Sequence, residues 1–103
     1  MRASPSIAPH ELEQDTYLVL DDFGEIGRAW RETCEYDAGR ERVIRYLVTG
    51  EFNHPVRIIA FNTSEGWSRD VTVDIADELR RRYVEFGEFP ESVLEFVDAN
   101  VRR

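Results

Sequence analysis

A chain of 103 residues has room for one folded body with a single hydrophobic core. With 42% hydrophobic and 33% charged residues it has the balance of a globular protein, and no apolar run reaches the length a bilayer requires. The formal net charge of -8 argues against broad binding to nucleic acid, which draws its free energy from cationic neutralisation of phosphates.

The first fourteen residues, "MRASPSIAPHELEQ", carry two prolines and no apolar h-region. They read as a flexible N-terminal arm and not as a secretory signal, ahead of a single α+β domain over 15–103. With one cysteine, Cys34, and no export signal, a disulfide scaffold is not expected and the cytoplasm is the default compartment.

"TYLVLDDF" (16–23) is apolar on both alternate faces, the pattern of a central strand covered on both sides. "GEIG" (24–27) supplies a tight reversal into "RAWRETCEY" (28–36), whose Trp30, Cys34 and Tyr36 oppose Arg31, Thr33 and Glu35, as in an edge strand. Asp37 is placed to cap a helix over 38–49 with Val43, Ile44, Leu47 and Val48 on one face and Gly50 as its stop. Pro55 opens "VRIIAF" (56–61), a third strand by its length and β-branching.

Residues 62–71 read as the connection from that strand to a second helix. Asp70 or Thr72 would cap it, Ile75, Ala76, Leu79, Tyr83 and Phe86 would form its apolar stripe, and Gly87 would end it. Val73 and Val84 lie nearly opposite that stripe and would meet a third helix or another subunit. The third helix follows Pro90, with Val93, Leu94, Val97 and Val101 sharing a face. The expected order is therefore ββαβαα, with a three-stranded mixed sheet in order 2-1-3, strand one antiparallel to both neighbours and a right-handed crossover between strands two and three. One face of that sheet would receive the first helix, leaving the other to the C-terminal pair or to a partner.

Several motifs carry less than they spell. Asp22-Phe23-Gly24 matches a kinase metal-binding triplet, but the chain lacks the rest of a kinase, and the triplet reads as a hairpin turn at a solvated strand end. Asp21 and Asp22 are strand neighbours pointing to opposite faces, so they do not converge on one substrate atom. His10, His54 and Cys34 lack metal-ligand spacing, no cofactor is implied, and Cys34 reads as a small buried hydrophobe before it reads as a nucleophile activated by His54. Arg80, Arg81 and Arg82 point in different directions on a helix, with Asp77, Glu78 and Glu85 at ion-pair spacing.

The stretch "FNTSEGWSRD" (61–70) holds the candidate binding residues Ser64, Glu65, Trp67, Ser68 and Arg69. At the carboxyl end of a strand, Trp67 offers an apolar face with one donor and Arg69 a planar cation. In the structural account, Trp67 instead folds back over the core beside Trp30 or Tyr83, and Arg69 pairs with Asp70 or Glu65.

With "YLVLDDFGEIGRAWRET" and "PVRIIAFNTSEGWSRDV" in view, the chain resembles a family of short, uncharacterised bacterial proteins. The resemblance covers residues 16–100 and is strongest over 17–33 and 55–71. It implies a bacterial cytoplasmic protein and carries over no activity, cofactor or catalytic residue. The functional expectation is a non-enzymatic interaction or regulatory domain that uses the sheet edge and the Trp67 loop to hold a protein partner, with self-association open. The alternative is a small-molecule or anion-binding domain, or an enzyme, with Ser64, Ser68 and Arg69 receiving an anion.

Overall fold

The computed structural model describes residues 15–32 and 39–101. The arm 1–14, the end of the expected second strand with Cys34 and Tyr36, the Asp37 cap and the Phe86 side chain lie outside the described residues. Seven elements follow one another: β1 (Thr16–Asp22), β2 (Arg28–Glu32), α1 (Arg40–Val48), β3 (Pro55–Asn62), β4 (Trp67–Asp70), α2 (Thr72–Phe86) and α3 (Glu91–Asn100). A short 3-10 turn, Gly24–Ile26, reverses the chain between the first two strands, where the two glycines predicted a reversal.

The sheet has four strands in the order β2-β1-β3-β4, and each neighbouring pair is antiparallel. The expected 2-1-3 core of the order is present, but the sheet is not mixed and it gains a strand inside the stretch read as a connection. β4 escaped notice because "WSRD" has neither β-branching nor apolar alternation, and its backbone pairing with β3 carries the assignment. Its last pair is Ile59 with Asp70. Beyond it the Thr72 hydroxyl takes over the bonding to β3, accepting from the Ile58 N–H at 2.9 Å and facing the Ile58 carbonyl at 3.3 Å. Asp70 accepts from the Thr72 N–H at 2.9 Å just ahead of α2, but the cap position is Val71, without a side-chain cap bond, so neither expected residue stands there: Thr72 is the first residue of the helix and turns its hydroxyl to β3.

Alternation along β1 and β3 sorts the sheet into two faces. Tyr17, Val19, Ile58 and Ala60 are buried with Val43, Ile44 and Leu47 of α1, Ile75, Ala76 and Leu79 of α2 and Val93 and Phe96 of α3, in one core. All three helices therefore cover the same side. A central strand shielded on both faces was expected; no described helix covers the other side, where Leu18 and Leu20 are half-buried. Each fully buried aliphatic side chain of this core contributes roughly 1.5–3 kcal/mol.

Smaller differences have plain causes. α1 starts at Arg40 and ends at Val48, with Gly50 left-handed just beyond it as expected; Gly87 likewise ends α2 at φ 76°. Tyr83 leaves the α2 stripe and is partly exposed, its ring 5.1 Å from that of Phe89. Pro90 is the residue before α3, which turns Val93 and Phe96 inward and leaves Leu94 at the surface. Val73 and Val84 are both exposed, at 37% and 85%. No helix among the described residues is long and apolar enough to cross a membrane.

Candidate functional site

The strand end read as solvated is only half so. Asp22 accepts from the Gly24 N–H at 2.8 Å and pairs with Arg28 at 3.3 Å, contacts that hold its carboxyl below the usual range, the amide foremost. Asp21, turned to the other face at a bulge between Leu20 and Asp21, has no solvent exposure at all. Its carboxylate accepts from Arg31 Nη1 (2.8 Å), from the Asn53 N–H (2.8 Å) and from the His54 N–H (2.6 Å). The two aspartates do diverge, as strand neighbours must. The His54 imidazole faces Glu95 at 3.4 Å, and its suggested partner Cys34 lies outside the described residues.

The stretch 61–70 is the β3–β4 hairpin and not a loop leading into a helix. Asn62, buried at its corner, organises the turn: its side-chain oxygen accepts from the Glu65 N–H (2.8 Å), its carbonyl accepts from the Gly66 N–H (2.8 Å), and its amide nitrogen donates to Asp15 (3.2 Å). Sequence reasoning passed over Asn62, although an Asx residue leading into a Gly-containing turn is a recognisable signal. Trp67 pairs with Asn62 and Arg69 with Ala60, so both project toward the helix side; Ser68 pairs with Phe61 and projects the opposite way.

Three of the five candidate residues form a stack. The Trp67 indole is half-buried against the core and donates to Glu65 Oε1 at 2.7 Å, while the Arg69 guanidinium lies over the indole, 4.7 Å from the ring centre. Ser64 is exposed at the turn and Ser68 is exposed on the other face. The sheet thus separates Ser68 from Arg69, and the expected anion-binding trio of Ser64, Ser68 and Arg69 does not assemble. Nor does Arg69 pair with Asp70, which instead bonds Arg57 at 2.7 Å.

Beside the stack, a cavity of about 350 Å³ opens between the start of β1, the end of β4 and α2. Tyr17, Arg40, Arg69 and Arg81 line it together with Asp15, Asp74 and Asp77, three cations against three carboxylates. Tyr17 is only 6% exposed, and its hydroxyl makes no hydrogen bond to the described residues. Burial pushes this phenol above its ordinary pKa and Asp15 adds to the rise, while Arg40 and Arg69 pull against it, so at neutral pH it is a neutral donor.

The second surface is the side of the sheet that no described helix covers. Leu18 and Leu20 of β1, Ile59 and Phe61 of β3 and Trp30 of β2 project from it, Trp30 at 49% exposure and opposite Leu20. Two ion pairs flank this apolar centre, Arg28 with Asp22 and Arg57 with Asp70 at 2.7 Å. Burial alone would raise the Asp70 carboxyl, but its bonds from Thr72 and Arg57 outweigh this and hold it low.

Two arginines of the run on α2, Arg81 and Arg82, are paired locally and across helices. Arg82 makes a two-pronged contact with Glu41 of α1 (2.9 and 2.6 Å) and donates through Nε to Glu78 (2.7 Å), while Arg81 also pairs with Glu78. Among the described residues no group of three or more His, Cys, Asp or Glu is placed to hold a metal. Compared with protein families, curated proteins and solved structures, the chain matches none of them, so the reading of its surfaces rests on their own geometry.

Proposed function

We propose that the chain is a non-enzymatic protein-interaction domain that seats a second protein chain on the open face of its sheet. One observation carries this: three helices share one side of a four-stranded sheet, and Leu18, Leu20, Trp30, Ile59 and Phe61 project from the other. A contiguous apolar surface of this kind marks an interaction site in a small domain, and tryptophan dominates the energetics of such interfaces. Two arginine–aspartate pairs are already made within the face and Glu32 stands beside them opposite Leu18, so the occupant is recognised chiefly by an apolar centre and shape. The buried acid Asp21 supports the non-enzymatic reading, because its oxygens are taken up by structural donors.

This moves the contact surface from the sheet edge and the Trp67 hairpin to the sheet face, and the aromatic anchor from Trp67 to Trp30. A photo-crosslinking amino acid placed at Leu20 in the native cell, with a control at Val84 on the helical side, tests the assignment. Position 20 is expected to give discrete protein adducts that Trp30→Ala abolishes without changing the melting curve. Sedimentation of the purified chain then tells a second copy from a different protein. Equal adducts at both positions, or none at position 20 together with a monomer in solution, would overturn the reading.

A further inference from the structure

We propose that the outer flank of α2 is a surface for pairing with a second copy of this chain, the two helices lying antiparallel across a twofold axis. The surface lies on the helix side and is independent of the sheet-face interaction.

Its starting point is the spacing of four residues. Val73, Asp77, Arg80 and Val84 follow one another along α2 at intervals of four, three and four, the spacing of the a and d positions of a heptad. At about 100° per residue they share a stripe about 60° wide. Ile75, Ala76 and Leu79, which hold α2 to the core, are buried on another side of the helix. Val73, Arg80 and Val84 are exposed and Asp77 is half-buried.

The order of the four groups selects the occupant. Read from either end the seam runs valine, charge, charge, valine, and the two charges are opposite. In an antiparallel pair whose axis passes between Asp77 and Arg80, Val73 meets Val84 of the second copy and Asp77 meets its Arg80, each contact made twice by symmetry. A parallel pair sets Asp77 on Asp77 and Arg80 on Arg80, like charge on like. The antiparallel register also brings Asp74 beside Arg81 of the second copy along one shoulder of the seam. A second copy presents the complementary order by construction, valine for valine and cation for anion.

The charged groups suit the role. Arg80 makes no hydrogen bond or ion pair among the described residues, whereas its neighbours Arg81 and Arg82 are both bonded to Glu78. Asp77 is already held by another interaction, and a carboxylate accepts from more than one donor. Asp77, Arg80, Arg81 and Val84 line a shallow groove along the helix, where side chains of a facing helix fit. The seam has four layers on a helix of 15 residues, so the interface is small and the expected Kd is on the order of 100 µM. Dilute chains stay apart, and pairing sets in where two copies are held near each other.

The test is a dilution series of the full chain from about 1 mM to about 10 µM, followed by amide chemical shifts and sedimentation. Concentration-dependent shifts are expected at Val73, Asp77, Arg80 and Val84 and not at Leu18, Leu20 or Trp30, and Trp30→Ala is expected to pair as wild type. Val84→Glu alters a side chain that is 85% exposed, so it is expected to fold as wild type and to pair about tenfold more weakly or worse. Arg80→Asp sets carboxylate on carboxylate and Asp77→Arg sets guanidinium on guanidinium, so each alone is expected to stay monomeric. Mixed in equal amounts, these two variants restore both opposite-charge layers and are expected to form a heterodimer. The proposal is overturned if the wild type is monomeric at about 1 mM, if the shifts fall on the sheet face instead, or if Val84→Glu pairs undiminished. It is likewise overturned if the mixture stays monomeric while both of its components melt as wild type.

Discussion

A carboxylate without solvent contact persists in a small domain only when donors surround it, and Asp21 has three. Asp21→Asn keeps the shape but turns one acceptor into a donor facing N–H groups and removes the charge opposite Arg31. A loss of about 3–5 kcal/mol in urea unfolding is expected, and a loss below about 1 kcal/mol would show that the contacts are replaceable. Tyr17→Phe should have the contrary sign, raising stability by up to about 1 kcal/mol, because it removes a partly desolvated hydroxyl that has no hydrogen-bond partner among the described residues. Calorimetric melting of the two variants reads both effects. The sequence showed that Asp21 and Asp22 diverge, since that is local geometry. It did not show which of them is buried, because the answer depends on Asn53 and His54, more than thirty residues away. The same holds for Trp67 and Arg69: their proximity was legible from spacing, whereas their stacking required β4 to be a strand.

At the level of elements, the hydrophobic periodicity of α1 and α2 placed both helices within about two residues, since burial of Val43, Ile44, Leu47, Ile75 and Leu79 is what stabilises them. α3 was misoriented, for Phe96 rather than Leu94 fills the core, a choice between adjacent apolar residues that only packing makes. β4 was missed for want of any apolar pattern. The contact between α1 and α2 was missed too, because Arg82 reaches Glu41 across 41 positions. The Arg82 bond, first among the causes, holds both Glu41 and Glu78 below the usual carboxylate range, and the two carboxylates in turn raise Arg82. Groups lowered in the folded state stabilise it above their unfolded value, near pH 4.5, and that contribution is lost as pH falls through the folded values. Arg82→Ala is therefore expected to cost about 0.5–1 kcal/mol at neutral pH, the scale of a partly exposed, networked pair. The difference from wild type should shrink in acid; an undiminished difference at pH 3 would assign the loss to packing instead.

For the whole molecule, one-sided covering of the sheet decides what the surface offers. The apolar content of β1 was plain in the sequence, but whether its second face meets a helix or nothing depends on where α2 and α3 dock. Leu20→Glu at the centre of that face is expected to leave the unfolding free energy nearly unchanged, within about 0.5 kcal/mol, because the side chain is not part of the helix-side core. Association through the face should be lost, as analytical ultracentrifugation would register. If the occupant is a second copy, two bodies each of charge -8 repel at a distance, so added salt should tighten the pair by screening. A basic partner would respond in the reverse sense, which makes ionic strength a simple discriminator.

The margins of the sheet bear on the kind of assembly that follows. β4 is only four residues long and alternates indole and guanidinium with serine and aspartate, and β2 carries Arg28, Arg31 and Glu32. Short, charged borders of this kind resist the strand-by-strand addition from which fibres grow. On the proposed reading, recruitment is thereby directed onto the flat of the sheet, where docking a second body conceals the adhesive surface of the first. A complex of that kind is finite: it closes at a pair and does not propagate.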